Sequence, residues 1–296
     1  GSVAVPGNIA GLFHVHNKLG KIPFREIALP AIHAAKNGIS LNKFQAYCLE
    51  ILKPILCNTK EGKNLFCSEN QLLKEGDIFK MKEFSDFLDI LSIEGEDFFY
   101  KGEISSLILA SQLDGGLIKR KDFDSYSVVE RNPIITEFYD YQVLGNPPPA
   151  VSGILVDFTL KLLNSRDKKE VSISELAYAF KMTNLARKEF EQNTIKNLSQ
   201  IFEKYNDLYL SSLLNNSSND TSENIYGSTT HISAIDKDGN AASATTTNGE
   251  GCGYIIPHTG FMLNNMLGEN DLNPNGFFKH VPGARLPSMV SPTIVL

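Results

Sequence analysis

The stretch Tyr226–Thr247, YGSTTHISAIDKDGNAASATTT, constrains this chain more than any other. Thr229, His231, Ser233 and Ile235 alternate with Thr230, Ile232, Ala234 and Asp236. Small, β-branched and apolar residues at period two predict a strand. Asp238-Gly239 then reverses the chain, because Gly and Asp tolerate the positive φ of a tight turn. With those two residues as the loop, Lys237 pairs with Asn240, Thr229 faces Asn248 and Thr230 faces Thr247. Two hydroxyls and an amide would gather at the open end of one hairpin.

An interior threonine carries no general base. A cut between Ser228 and Thr229 would supply one, since the new α-amine has an unperturbed pKa of about 7.7–8.0, suited to proton abstraction near neutrality. Such a Thr is nucleophile and base together. Asn215–Asn224 precedes it without a single apolar residue and reads as a mobile loop, slack where a chain that cuts itself needs it. Its triplets at Asn215, Asn216 and Asn219 would be glycosylation acceptors only in a eukaryotic secretory protein; a plain polar loop is the simpler reading. A Thr-Thr pair opening a strand is equally what β-propensity produces, so spacing alone does not decide the role of Thr229.

Other motifs do. GSTTHIS, DKDGN and TTTN are accompanied by VPGNIAGL (Val5–Leu12), KLGKIPF (Lys18–Phe24), FYKGEI (Phe99–Ile104), DGGLIKRKDF (Asp114–Phe123), NPPPAVSG (Asn146–Gly153), TGFMLNN (Thr259–Asn265) and PSMVSPT (Pro287–Thr293). In this order, over nearly the whole chain, they resemble the γ-glutamyltranspeptidases, with both termini truncated relative to the family layout. The resemblance implies an α+β fold, the four-layer αββα sandwich of N-terminal nucleophile hydrolases, incomplete in this chain. It implies a mostly helical large-subunit portion, 1–228, and a β-rich small-subunit portion, 229–296, divided by autocleavage.

By the same resemblance Thr229 is the nucleophile and Thr247 its hydrogen-bond partner. Asn248 holds the substrate α-amino group, Glu269 (with Asp271 as second choice) pairs with the α-ammonium, and Ser288 contacts the α-carboxylate. Two positions depart from the pattern. Met266 stands where relatives place a glutamine after LNN, and Met289 replaces a serine beside Ser288. The expected activity is cleavage of a γ-glutamyl amide, such as that of glutathione, with transfer of the acyl group to water or an acceptor amine. No metal or organic cofactor is called for. The alternatives are an amidase or acylase of the same fold with another acyl specificity, and a non-processing homologue that only binds. His231 shares a strand face with Thr229 and would allow a Thr–His dyad, which the amine mechanism does not need.

Composition narrows the classes further. A net charge of −6, with no Lys/Arg stripe interleaved with aromatics, argues against a nucleic-acid partner. No run approaches the ~20 apolar residues of a membrane helix, and compartment stays open. Cys48, Cys57, Cys67 and Cys252 show no metal spacing; a Cys48–Cys57 disulfide is conceivable, small buried thiols the simpler reading. The segment Gly249–Gly253, GEGCG, looks like a phosphate loop but lacks a following lysine or helix start. Helices are expected along Ile9–His16, Ile27–Ala35, Met81–Leu91, Ile104–Leu113 and from Ser152 onward, with a capping box at Ser172 and Glu175. Residues 56–80 read as loop, Tyr139–Leu144 as a short strand, and Pro147–Pro149 as a rigid turn.

Overall fold

A computed structural model describes residues 2–111, 115–166, 170–192, 198–215, 229–273 and 275–296. It is an α+β chain that divides into two compact units. One comprises Gly1–Val129, Asn248–Asn273 and Phe277–Lys279, the other Glu130–Thr247, Pro274–Gly276 and His280–Leu296.

The first unit is mainly helical. Helices α1 (Asn8–Leu19) and α2 (Phe24–Asn37) follow the expected apolar stripes, with Ala10, Phe13 and Ile32 buried. α3 (Lys43–Leu56) begins at a reciprocal cap, in which Asn42 accepts from the Gln45 amide and Gln45 from the Asn42 amide. Residues 56–80 are more ordered than expected. They hold α4 (Lys60–Phe66), the ribbon β2 (Cys67–Ser68) with β3 (Gln71–Leu72), and β4 (Ile78–Phe79), which pairs with β1 (Ile39–Ser40). Strands of two residues leave no periodicity to read.

α5 (Lys82–Glu94) packs on α2, where Ser85 donates to the Ile32 carbonyl at 3.0 Å. The helices α6 (Glu96–Tyr100), α7 (Glu103–Ala110) and α8 (Arg120–Asp124) complete the core. Ile108 lies at its centre, and Ile256 and Leu263 of the C-terminal segment join it. Phe261 packs with tilted rings against Phe87 and Phe99 at centroid distances of 5.2 and 5.9 Å. α7 ends at Ala110, and the remainder of the helix expected to Leu113 lies outside the described residues.

The second unit is built on a three-stranded antiparallel sheet in the order β5 (Ile134–Phe138), β6 (Tyr141–Gly145), β9 (Ile294–Val295). The β6 strand was expected; β5, two residues upstream across Tyr139-Asp140, was not. Helix α9 (Val151–Asn164) covers the sheet, and α10 (Ile173–Gln192) and α11 (Leu198–Asn215) pack with it around Leu162, Ala179, Ala186 and Tyr209. The capping box at α10 forms as expected: the Ser172 amide donates to Glu175 at 2.7 Å, and the Glu175 amide to the Ser172 hydroxyl at 3.3 Å. Arg166 closes on the same carboxylate at 2.7 Å. Together these hold Glu175 down to about 2, the Ser172 hydrogen bonds first among the causes.

The hairpin β7 (Thr229–Ile235) and β8 (Ala241–Thr247) belongs to this unit. Asn215 closes α11. The remainder of the expected mobile loop, with Asn216 and Asn219, lies outside the described residues.

The Cys48–Cys57 bridge is not present. All four cysteines are free and half-buried, and Cys57 lies against Cys67 instead.

Candidate functional site

The register of the central hairpin differs by one from the two-residue-loop expectation. Asp236 pairs with Asn240 through an amide-to-carbonyl bond of 3.0 Å, so Lys237, Asp238 and Gly239 form a three-residue loop. The Asp236 carboxylate causes this, accepting from the amides of Asp238 and Asn240, each at 2.9 Å, and from the Asn240 side chain at 2.8 Å. These bonds hold its pKa below the usual carboxylate range, the Asn240 side chain first among them. Gly239, at φ +83°, fills the left-handed position that closes such a loop.

Thr229 therefore sits directly opposite Thr247 rather than Asn248, and the Thr229 hydroxyl donates to the Thr247 hydroxyl at 3.3 Å. The same face carries two more polar pairs, His231 with Thr245 and Ser233 with Ser243. His231 reaches Thr245 through Nδ1 at 2.8 Å and Ser233 through Nε2 at 2.9 Å. Both ring nitrogens are thus engaged by hydroxyls other than that of Thr229, and the Thr–His dyad does not form.

In the first unit, the loop after β8 folds against the segment Asn264–Glu269. The Asn248 carbonyl accepts from the amides of Gly251 at 3.2 Å and Asn265 at 3.1 Å. Asn265 donates through its side chain to Glu250 at 3.1 Å, and the Glu250 and Glu269 carboxyls lie within hydrogen-bonding reach of each other. Burial, then the hydrogen bond and charge of Glu250, push Glu269 up to about 7. Glu250 is held below its usual range, chiefly by that hydrogen bond. The two carboxyls therefore share one proton near neutrality.

Gly249, at φ +60°, makes the approach possible: a Cβ there would stand 2.0 Å from Asn265 Oδ1 and 2.1 Å from Glu269 Oε1. Both oxygens are buried and meet no hydrogen-bond donor among the described residues. This explains the glycines of GEGCG, which serve a close backbone approach and not a phosphate. Met266 opens a 3-10 turn (Met266–Gly268), its amide donating to Asn264 at 3.1 Å, and Asp271 lies in the next such turn (Asn270–Leu272).

Ser288 is placed by backbone. It bridges to Ala150, and the Val151 amide donates to its carbonyl at 2.9 Å. The Ser152 hydroxyl donates to the Val290 carbonyl at 2.6 Å, which fastens the Met289 segment to the start of α9. Of the candidate residues, the second unit thus brings Thr229 and Thr247 together and holds Ser288 on α9, while Asn248 and Glu269 belong to the first. Glu250 was missed by sequence reasoning: nineteen positions separate it from Glu269, and no local pattern announces the pairing.

A family model described as gamma-glutamyltranspeptidase matches residues 1–296. The chain belongs to the gamma-glutamyltranspeptidase family. Glutathione hydrolase proenzyme from Escherichia coli (strain K12) is 30% identical over 325 residues, covering 98% of this chain and 56% of that protein. Capsule biosynthesis protein CapD proenzyme from Bacillus anthracis is 28% identical over 303 residues, covering 99% and 55%. This family member thus spans about half the length of the curated relatives it matches.

Among solved structures, cephalosporin acylase from Bacillus halodurans superposes with a TM-score of 0.81 at 18% identity, over 99% of this chain and 57% of the other. The γ-glutamyltranspeptidase of Helicobacter pylori superposes at 0.65 and 22% identity, over 74% and 67%. These two likenesses establish the fold. Among the described residues no group of three or more His, Cys, Asp or Glu is placed to hold a metal ion, and no helix is long and apolar enough to cross a membrane.

Proposed function

We propose that this chain carries the nucleophile of a γ-glutamyltranspeptidase-like hydrolase and acyltransferase, activated by cleavage before Thr229. The observation that carries the reading is the 3.3 Å contact between the Thr229 and Thr247 hydroxyls at the first residue of β7. After cleavage the α-amine of Thr229 takes the hydroxyl proton, and the Oγ attacks the amide carbonyl. The amide nitrogen leaves with a proton, an ester to Thr229 remains, and water or an acceptor amine releases the acyl group. Thr247 orients the nucleophile. Glu269 and Asn248 receive a substrate α-ammonium, and Ser288 a carboxylate. The proenzyme names of its relatives support a precursor that is processed, and the division proposed here falls before Thr229, between large and small subunits.

Mass spectrometry of the protein as the cell makes it tests the first step. Two chains divided before Thr229 are expected, and a single uncut Thr229→Ala chain without amidase activity. Efficient cutting at the same bond in that variant would reject self-cleavage.

A second reading, an amidase or acylase with another acyl group, is favoured by Met266 and Met289, which stand at positions where the family pattern places polar contacts. Each lost hydrogen bond to a charged group is worth about 1.5–3 kcal/mol. Comparing kcat/KM on γ-glutamyl and glutaryl anilides separates the two: strong preference for the free α-amine supports the first, comparable rates the second.

A further inference from the structure

Two thiols outside this site are brought together by the packing of α3 and α4. The Leu56 carbonyl at the end of α3 comes so near Gly62 that a Cβ there would stand 2.0 Å from it. Thr59 caps α4, accepting from the Gly62 amide at 3.1 Å, and so fixes the turn between the helices. Cys57 ends α3 and Cys67 ends α4, and their sulfurs lie 3.3 Å apart. A disulfide needs about 2.05 Å, so a small side-chain adjustment within an already fixed turn suffices.

We propose that Cys57 and Cys67 form a reversible disulfide, a redox-dependent lock across the α3–α4 turn. The two thiols are not equivalent. Cys67 borders an open groove with Asn64, Gln71 and Lys80. Burial pushes the Cys57 thiol up, more than the nearby Lys53 and Lys63 lower it. The groove admits a small disulfide at Cys67, where attack starts. Its thiolate takes one sulfur of a low-molecular-weight disulfide, expelling one thiolate and leaving a mixed disulfide. The Cys57 thiolate then attacks the Cys67 sulfur and expels the second. Both cysteine protons end on the two released thiols; the protein is oxidised by two electrons and the small disulfide reduced by two. The lock ties down the end of α3, whose Ile55 carbonyl lies beside Gly253 in the loop that follows β8.

The test is peptide mapping after equilibration with oxidised glutathione or with dithiothreitol. Lys60 and Lys63 lie between the two cysteines, so trypsin separates their peptides unless a disulfide joins them. The expected result is a joined Cys57–Cys67 peptide in the oxidised sample, lost on reduction, with a thermal midpoint several degrees higher when oxidised. Cys57→Ser should accumulate a persistent mixed disulfide at Cys67, whereas Cys48→Ser should leave the joined peptide unchanged. Lys53 precedes Pro54 and resists trypsin, so Cys48 and Cys57 share one peptide; fragment spectra of the joined wild-type peptide assign the bridge and decide the matter even where a variant fails to fold. An oxidised sample without the joined peptide, with Cys48 or Cys252 taking a partner instead, or with stable mixed disulfides at both Cys57 and Cys67, would overturn the proposal.

Discussion

A threonine hydroxyl is a poor nucleophile until a neighbour orients it and a base takes its proton; on the proposed reading the neighbour that orients Thr229 of β7 is Thr247 of β8, whose hydroxyl accepts from it at 3.3 Å. Thr247→Val keeps the shape and removes the hydroxyl, and a fall in kcat of about 10–100-fold is expected with little change in KM. Thr229→Ser keeps the hydroxyl and, on the proposed reading, should still process; Edman sequencing of the new terminus checks it. The shared proton of Glu250 and Glu269 yields a pH prediction. Glu269 sits at about 7, above its ordinary value. Its protonated form thus adds stability that is complete below about pH 4.3 and lost as pH rises through that raised value. On the proposed role of Glu269 a substrate ammonium prefers its ionised form, so KM for α-amine substrates should fall as pH rises through neutrality. Glu250→Gln removes the repelling charge and should move that transition to lower pH; an unmoved profile would separate Glu269 from the ammonium.

At the scale of the element, the hairpin is held in register by one carboxylate and one glycine. Gly239→Ala puts a Cβ at φ +83°, where space is free but the backbone is strained, and should cost about 1 kcal/mol, read from urea denaturation. No loss would show that the loop relaxes to another register. The Asp-Gly signal was legible as a turn. Its length was not, because the deciding group is the side chain of Asp236, which binds the Asp238 amide within the loop and the Asn240 amide just after it and extends the loop by one residue. Amphipathic helices such as α1, α2, α5 and α9 were legible for the opposite reason, since their burial repeats every turn. The Thr229–Thr247 contact was reached from the turn, although by way of a diagonal and not a direct pairing. The carboxyl pair and the Cys57–Cys67 contact were invisible because both depend on where separate segments end up in space.

For the whole molecule, each unit has its own core, with Ile108 fully buried in one and Leu162 in the other. Truncating either to Ala should cost about 2–5 kcal/mol. Hydrogen exchange should show the Ile108→Ala loss of protection concentrated around α5–α7, and the Leu162→Ala loss around α9–α11. Equal loss everywhere in both variants would mean that the two cores unfold as one. The bond between Ser228 and Thr229 is crossed by both units: Ile256 and Leu263 finish the core begun by Phe87 and Phe99, and β9 finishes the sheet begun by β5 and β6. Hydrolysing that bond would therefore give two interlaced polypeptides, neither of which can depart without opening hydrophobic cores to water. Dilution should leave the nicked pair co-eluting on a sizing column, and only denaturant should part them.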